Sequence, residues 1–311
     1  MGLKPVVRMA ATILGGALFL PAAVQAQQAG AGTPAVGTEI TVSNDSDETT
    51  VTRVALDLDL RNDGDAKRIG VRLENVWYEL LGASAEQRQR VFLQAGDTAG
   101  KWTWAARVGT DGDNLIGSAS VYDDSRFRKE LFVERDIVET PLGLQRHLYS
   151  TFGGAAIDLP LNDRNTLTVL GGFQEFSGDN ERLHLRANYV YVVSPEAGVS
   201  AQLRGRYFHN TVPREFDYFS PRDFVQALPV LQVRRFVSGW QLLAVGGIGA
   251  QRFTASPWQQ ANYAELSARS PQRGPWRAGA QLVYSNTPGN NALQSTDYTY
   301  IQGRVTLSRT F

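Results

Sequence analysis

Apolar residues recur at every second position over runs too long for an ordinary globular strand. In residues 53–61, Val54, Leu56, Leu58 and Leu60 alternate with Arg53, Asp57, Asp59 and Arg61. In 68–78, Ile69, Val71, Leu73 and Trp77 oppose Arg68, Arg72, Glu74 and Tyr78. In 182–193, Leu183, Leu185, Ala187, Tyr189, Tyr191 and Val193 oppose Arg182, His184, Arg186 and Asn188. Successive side chains of a strand point to opposite faces, so a period of two means one apolar and one polar face. Turn signals divide the chain into sixteen such segments, at 36–45, 50–61, 67–80, 88–97, 100–109, 114–122, 127–138, 150–159, 164–176, 181–194, 198–209, 224–236, 239–253, 259–269, 275–285 and 298–311. Globular strands average about 5–6 residues, whereas a tilted strand crossing a bilayer needs about 9–11. These segments match the second length. None carries a helical period over a useful length.

Alternation does not by itself separate a soluble sandwich from a membrane barrel. A sandwich turns its polar face to solvent; a membrane barrel turns it to the lumen and presents the apolar face to lipid. The two ends favour the barrel. Residues 1–26 read as a basic start with Lys4 and Arg8, a short apolar run and a small-residue cleavage site, with Val24 and Ala26 at −3 and −1. That is a secretion signal for the Sec route, expected to be cut after Ala26. Residues 27–35 read as a flexible leader. The terminal segment YTYIQGRVTLSRTF places Ile301, Gly303, Val305, Leu307 and Phe311 on one face. An alternating strand closing on an aromatic residue resembles the signal that the barrel assembly machinery of bacterial outer membranes reads, and Phe311 carries it. Arg309 departs from that pattern, at a place where a long cationic side chain can snorkel to headgroups.

The expected fold is therefore all-β. It is a transmembrane antiparallel β-barrel of about sixteen strands over 36–311, with both termini periplasmic because the count is even. Turns at 61–66, 95–100, 123–126, 159–164, 194–198 and 238–239 are short, and the three longest breaks, near 139–149, 210–223 and 286–297, all fall on the opposite rim. Short periplasmic turns and long outer loops are the pattern of outer-membrane barrels. Aromatic residues near strand ends (Trp77 and Tyr78, Trp102 and Trp104, Tyr189 and Tyr191, Tyr207 and Phe208, Trp240, Trp276, Tyr298 and Tyr300) are expected to form interfacial girdles.

Thirty-one basic and thirty-one acidic residues argue against nucleic acid as a partner. The absence of cysteine excludes a disulfide framework, a thiolate metal site and a thiol nucleophile. No cofactor, metal or catalytic role is expected. His147 with Ser150 is the one pair with hydrolase-like chemistry, and it has no identifiable third orienting group. GGIG at 246–249 lies inside a strand, where glycines allow close strand approach or a bend. Charge on the inner face is more informative. Early strands offer Asp57, Asp59, Glu74, Glu130, Glu134 and Asp136; later strands offer Arg182, Arg186, Arg204, Arg206, Arg277 and Arg304. Inward charges must be wet or paired. An acidic arc facing a basic arc would give a hydrogen-bonding track or a solvated lumen.

At 216–224 the sequence reads FDYFSPRDF, followed by ALPVLQVRRF and GWQLLAVGGIGAQRF. This arrangement resembles the carboxy-terminal barrel of bacterial exopolysaccharide export porins, the outer-membrane secretins of cellulose and poly-N-acetylglucosamine. Its specific part is Tyr218, Phe219, Ser220 and Pro221. Pro221 fixes its own φ and holds Ser220 extended, so the segment reads as an ordered outer loop. Tyr218 and Phe219 would anchor that loop on the rim or stack on a sugar ring. The resemblance implies a sixteen-stranded pore in the bacterial outer membrane, passing a biofilm polysaccharide passively. The charged inner residues would be the substrate track, with lipid, the assembly machinery and the polymer as partners. Such porins carry a tetratricopeptide-repeat superhelix before the barrel. The sequence shows no such repeat, so the barrel would need a separate periplasmic repeat scaffold or has another role. A general diffusion porin, an outer-membrane enzyme and a structural barrel with a plugged lumen are the alternatives.

Overall fold

The computed structural model describes residues 33–64, 67–293 and 298–311. The expected signal and nearly all of the leader lie outside the described residues. Sixteen strands follow one another: β1 (Ala35–Asp45), β2 (Thr50–Asn62), β3 (Arg68–Glu79), β4 (Glu86–Ala99), β5 (Trp102–Thr110), β6 (Leu115–Asp123), β7 (Lys129–Ile137), β8 (Tyr149–Pro160), β9 (Asn165–Phe176), β10 (Glu181–Ser194), β11 (Val199–Asn210), β12 (Asp223–Val237), β13 (Trp240–Phe253), β14 (Gln259–Arg269), β15 (Trp276–Ser285) and β16 (Tyr300–Thr310). Each pairs antiparallel with its sequence neighbours. β1 closes the sheet by pairing with β16 from Ala35↔Thr310 to Asp45↔Tyr300. Closure leaves no edge strand, which a β-structure needs where no water is available to satisfy free backbone groups. An even count puts the beginning of β1 and the end of β16 on one rim, the terminal rim. The breaks between β7 and β8, β11 and β12, and β15 and β16 stand on the other, the loop rim.

Burial decides which face is which. Leu60 is 77% exposed and Leu93 69%, while Asp59 is 5% and Arg90 3%. Val54, Leu56, Leu58, Leu183, Leu185 and Leu203 likewise point outward. A water-soluble protein does the reverse, because each large aliphatic left in water forgoes about 1.5–3 kcal/mol of transfer free energy. A continuous outer apolar band with a polar interior is the signature of a barrel set in lipid.

The aromatic expectation needs correction. Trp77, Trp102, Trp104, Tyr189, Tyr191, Tyr207, Trp240 and Trp276 face outward near the rims, as girdles should. Tyr78, Phe208 and Tyr298 instead point inward and are buried, and Tyr300 also faces the interior. Alternation forces this, since adjacent residues such as Trp77 and Tyr78 cannot share a face. At the terminal rim, the Arg309 guanidinium lies 5.3 Å from the Trp276 ring and 5.0 Å from that of Phe311. The residue that interrupts the terminal pattern is thus held between two girdle rings. Inside the β12–β13 pair, a Cβ on Gly249 would lie 2.2 Å from the Ala227 carbonyl oxygen, and one on Gly247 2.8 Å from that of Pro229. The glycines serve close strand approach, as the sequence suggests.

One short helix, α1 (Pro141–Gln145), interrupts the β7–β8 break. The Thr140 hydroxyl caps it by accepting from Gly143 N, and Pro141 starts it. Five residues are too few to show a period in sequence.

Candidate functional site

The three long breaks do not stand away from the barrel. Their described residues fold inward and pack on one another and on the inner wall at the loop rim. Leu144 of α1 packs among Val51, Val76, Tyr78, Phe92 and Ile137 from the wall. Val138 and Leu148, flanking α1, pack with Phe176 and Tyr218. Phe219 packs with Phe208, Phe224, Ala292 and Tyr298. Polar contacts sew the segments together. Asp217 accepts from the Thr140 hydroxyl at 2.7 Å and from Leu142 N at 2.8 Å. Phe219 N donates to Ala292 O at 2.7 Å. Asn291 Nδ2 donates to Glu139 Oε2 at 3.0 Å, and Glu139 N donates back to Asn291 Oδ1 at 3.3 Å.

The FDYFSPRDF segment is the centre of this cap. The Tyr218 ring stacks on Phe176 at 4.4 Å, and its hydroxyl accepts from Asn180 Nδ2 at 2.9 Å. Burial raises the Tyr218 phenol to about 12, although the Asn180 hydrogen bond opposes this. Ser220 Oγ accepts from Arg214 N at 3.0 Å and donates to Tyr218 O at 3.2 Å. Pro221 O accepts from Asn210 Nδ2. Both aromatic side chains are enclosed, so in this conformation they anchor the loop, and neither ring is bared to a sugar. Arg182, expected on the substrate track, is also a cap residue and does not line the cavity. It donates to Phe219 O at 2.6 Å, to Asn210 Oδ1 at 2.7 Å and to Asn290 Oδ1, between the rings of Phe176 and Phe208.

Below the cap lies a cavity of about 1460 Å³ that reaches the terminal-rim residues Asn62, Asp63, Ser270 and Gln272. Asp57, Asp59, Glu74, Glu130, Glu134, Arg186, Arg204, Arg206 and Arg304 all line it, as their strand parity predicts. The acidic side is not a free acidic arc, because arginines of the same strands neutralise it. Arg72 contacts Glu39 at 2.7 Å, Asp57 at 3.0 Å and Glu74 at 3.3 Å. Arg68 reaches Asp57 at 3.2 Å and Asp59 at 2.8 Å. Arg90 reaches Glu74 and Asp136, both at 3.3 Å, and Arg128 holds Glu130 at 2.9 Å. Asp57 and Arg72 are direct register partners, so opposite charges face each other across the pair.

Where this network meets the cap stands Glu139. Its Oε1 accepts from Arg53 and, at 3.2 Å, from the Tyr78 hydroxyl, and Arg90 lies 3.8 Å away. Burial alone would raise its carboxyl, but the Arg53 and Arg90 guanidiniums outweigh burial and hold it below the usual glutamate range. Strand parity places Arg72 and Arg90 indoors. Nothing in the local sequence marks Glu139, whose partner Asn291 is 152 residues away. Ser150 and His147 do not converge. Ser150 lines the central cavity, while His147 sits in a separate recess on the loop rim, its Nδ1 2.9 Å from Asp113.

No family model matches the chain, and no curated protein matches it in sequence. Its fold is that of solved outer-membrane barrels. A structure described as a bacterial polysaccharide outer membrane secretin aligns with a TM-score of 0.65 at 14% identity, over 89% of this chain and 98% of that one. OccK5 (OpdH) of Pseudomonas aeruginosa aligns with a TM-score of 0.42 at 9% identity, over 90% and 98%. An anion-selective porin from Comamonas acidovorans aligns with 0.40 at 12% identity, over 90% and 98%. The chain is thus a closed sixteen-stranded barrel of the outer-membrane type, resembling a polysaccharide export barrel in fold.

Proposed function

We propose that this barrel is a gated outer-membrane conduit for export of an exopolysaccharide, with the terminal rim in the periplasm and the capped rim outside. The observation that carries this reading is the cap. Described residues of three loops pack together over one rim with an apolar seam, while a polar, charge-lined cavity reaches the other. A diffusion porin of this strand number keeps an aqueous channel at rest. A polymer conduit must stay shut between chains and open when one arrives. Fold likeness to a polysaccharide secretin supports the same reading.

On this reading the chain is exported by the Sec route, cut after Ala26 and inserted by the barrel assembly machinery, which reads Phe311. The polymer enters from the periplasm, guided by a separate repeat scaffold, and moves along the inner wall without catalysis. Asp57, Asp59, Glu74, Glu130, Glu134, Arg186, Arg204, Arg206 and Arg304 supply hydrogen bonds that are exchanged as it passes. Arg182 and Tyr218 to Pro221 belong to the gate.

The test is deletion of the gene in its host, with polymer measured inside and outside the outer membrane. Extracellular polysaccharide should fall and periplasmic polysaccharide should accumulate, both reversed by the intact gene. Unchanged extracellular polymer would sink the proposal.

A further inference from the structure

The two halves of the cavity wall are charged differently. From β1 to β7 most lining carboxylates sit among arginines that pair with them, whereas Glu134 makes no close ion pair and has its counter-charge in Arg186 at longer range. From β8 to β16 the lining carries Arg186, Arg204, Arg206, Arg269, Arg277 and Arg304 against the single carboxylate Asp158, which accepts from Thr168 at 2.6 Å. Glu265, on the inner face of β14 with Tyr263 and Ser267, is buried, accepts from Tyr263 at 2.6 Å and Gln281 at 2.8 Å, and acts on Arg204 at longer range.

The sharpest feature is on β10 and β11. Arg186 and Arg206 are direct register partners, so two guanidiniums lie side by side. Like charges placed opposite one another are destabilising. Neither has a hydrogen bond or ion pair to another described residue, and the Nε of each is buried without a partner. Arg186 is 6% exposed. Next along β10, Asn188 is 3% exposed, and neither its Nδ2 nor its Oδ1 has a partner. On the other side, His184 presents an unpartnered Nδ1 while its Nε2 meets Gln174 at 3.0 Å. Arg204, opposite Asn188, donates from Nε to Gln202 Oε1 at 3.0 Å and lies 5.1 Å from the Tyr263 ring, but keeps Nη1 unpartnered; it stands one same-face step from Arg206, about 6.8 Å along the strand. Phe152 adds an apolar plate, 4.7 Å from the His184 ring and 5.6 Å from the Arg186 guanidinium. Two guanidiniums without a hydrogen bond, a third held only in part, a free amide and a ring facing one cavity form a surface for a chain of anionic sugars. The guanidinium fork takes an oxyanion with two parallel bonds, and rings pack on sugar faces.

Building on the export function proposed above, we propose that the transported polymer is an anionic polysaccharide, its carboxylate or sulfate groups running along β10–β11 on Arg186, Arg204 and Arg206. The arginines supply counter-charge in steps, so no single anion is trapped. The paired wall opposite gives hydrogen bonds and no net pull.

The test is calorimetric titration of the full-length protein in detergent with oligogalacturonate, dextran sulfate, cello-oligosaccharide, chitosan oligomers and inorganic phosphate. Oligogalacturonate or dextran sulfate should bind best, more weakly as salt rises, and the stronger of the two identifies the anion. R186Q/R206Q should lose about tenfold or more in affinity, because each charged hydrogen bond contributes about that factor. R186K/R206K should retain most of it, and heat-modifiable gel migration checks that both variants fold. Preferential binding of cello-oligosaccharide or chitosan overturns the anionic assignment and leaves polysaccharide export standing. Phosphate binding as tightly as the oligomers overturns the polymer assignment and the export reading together. Absence of anionic binding, or anionic binding untouched in R186Q/R206Q, also overturns the proposal.

Discussion

At the scale of single residues, Glu139 joins the cap to the wall. It is the carboxylate that Arg53 and Tyr78 donate to, and it is tied to the β15–β16 segment through Asn291. Replacing it by Gln keeps the shape and leaves the Arg53 guanidinium beside a neutral amide, while Arg90 keeps Glu74 and Asp136. Removing one member of a buried pair costs about 3–5 kcal/mol, or at least two orders of magnitude in an equilibrium. E139Q in planar bilayers should therefore open far more often than the unaltered protein. An unchanged open fraction would show that the ion pair does not hold the gate. Acid should act in the same direction. The carboxyl is held below the ordinary glutamate value of 4.5 when the cap is shut, so its contribution is fully present above that pH. It is lost as pH falls through the lowered value. Openings should rise on acidification below about 4.5 and vanish again on return to neutral pH, with E139Q insensitive over that window.

Elements differ in how plainly the sequence announces them. All sixteen strands are legible, because a period of two needs only local information and Asp-Gly or Ser-Gly turns punctuate it. Parity also tells which charges turn inward, and Asp57, Arg186 and Arg206 follow it. Pairing is less legible: that Arg72 neutralises Asp57, or that Arg186 faces Arg206, depends on register. The cap is least legible. Its contacts join Asp217 to Thr140 and Glu139 to Asn291, far apart in the chain and without periodicity. Tyr218 to Pro221 could be recognised as an ordered loop, but not as one folded into the lumen. Of the three loops, the β15–β16 segment touches both the cap and the wall through its described residues. It meets Glu139 on one side, Arg182 beside Phe219, and Gln226 and Gln251 on β12 and β13. Replacing 286–299 by a short Gly-Ser turn should leave the barrel folded, since closure rests on the β1–β16 and β15–β16 ladders. The variant should form a steadily conducting pore and sensitise cells to bulky antibiotics. A folded variant that still fails to conduct would mean that the other two loops suffice to close the lumen.

For the whole molecule the decisive property is that charge is segregated around the wall. A low-dielectric wall focuses the field of the charges it carries, so unpaired groups dominate the potential that a mobile ion meets. In the half from β1 to β7 the ion pairs cancel at short range. From β8 to β16 the lining arginines outnumber the carboxylates and make few close ion pairs. With its cap removed, the barrel should therefore select anions even though the chain as a whole has a formal net charge of zero. Reversal potentials of the 286–299 deletion in a potassium chloride gradient measure this directly. Selectivity for chloride should weaken as salt rises, because the Debye length shrinks from about 10 Å at 0.1 M to about 3 Å at 1 M. Adding R186Q and R206Q to the deletion should move the reversal potential towards zero, whereas neutralising the paired Arg72 with Asp57 should hardly change it. Equal shifts from the two pairs of substitutions would mean that the field is set by the total number of charges. Pairing across the ladder would then have no bearing on what the lumen attracts.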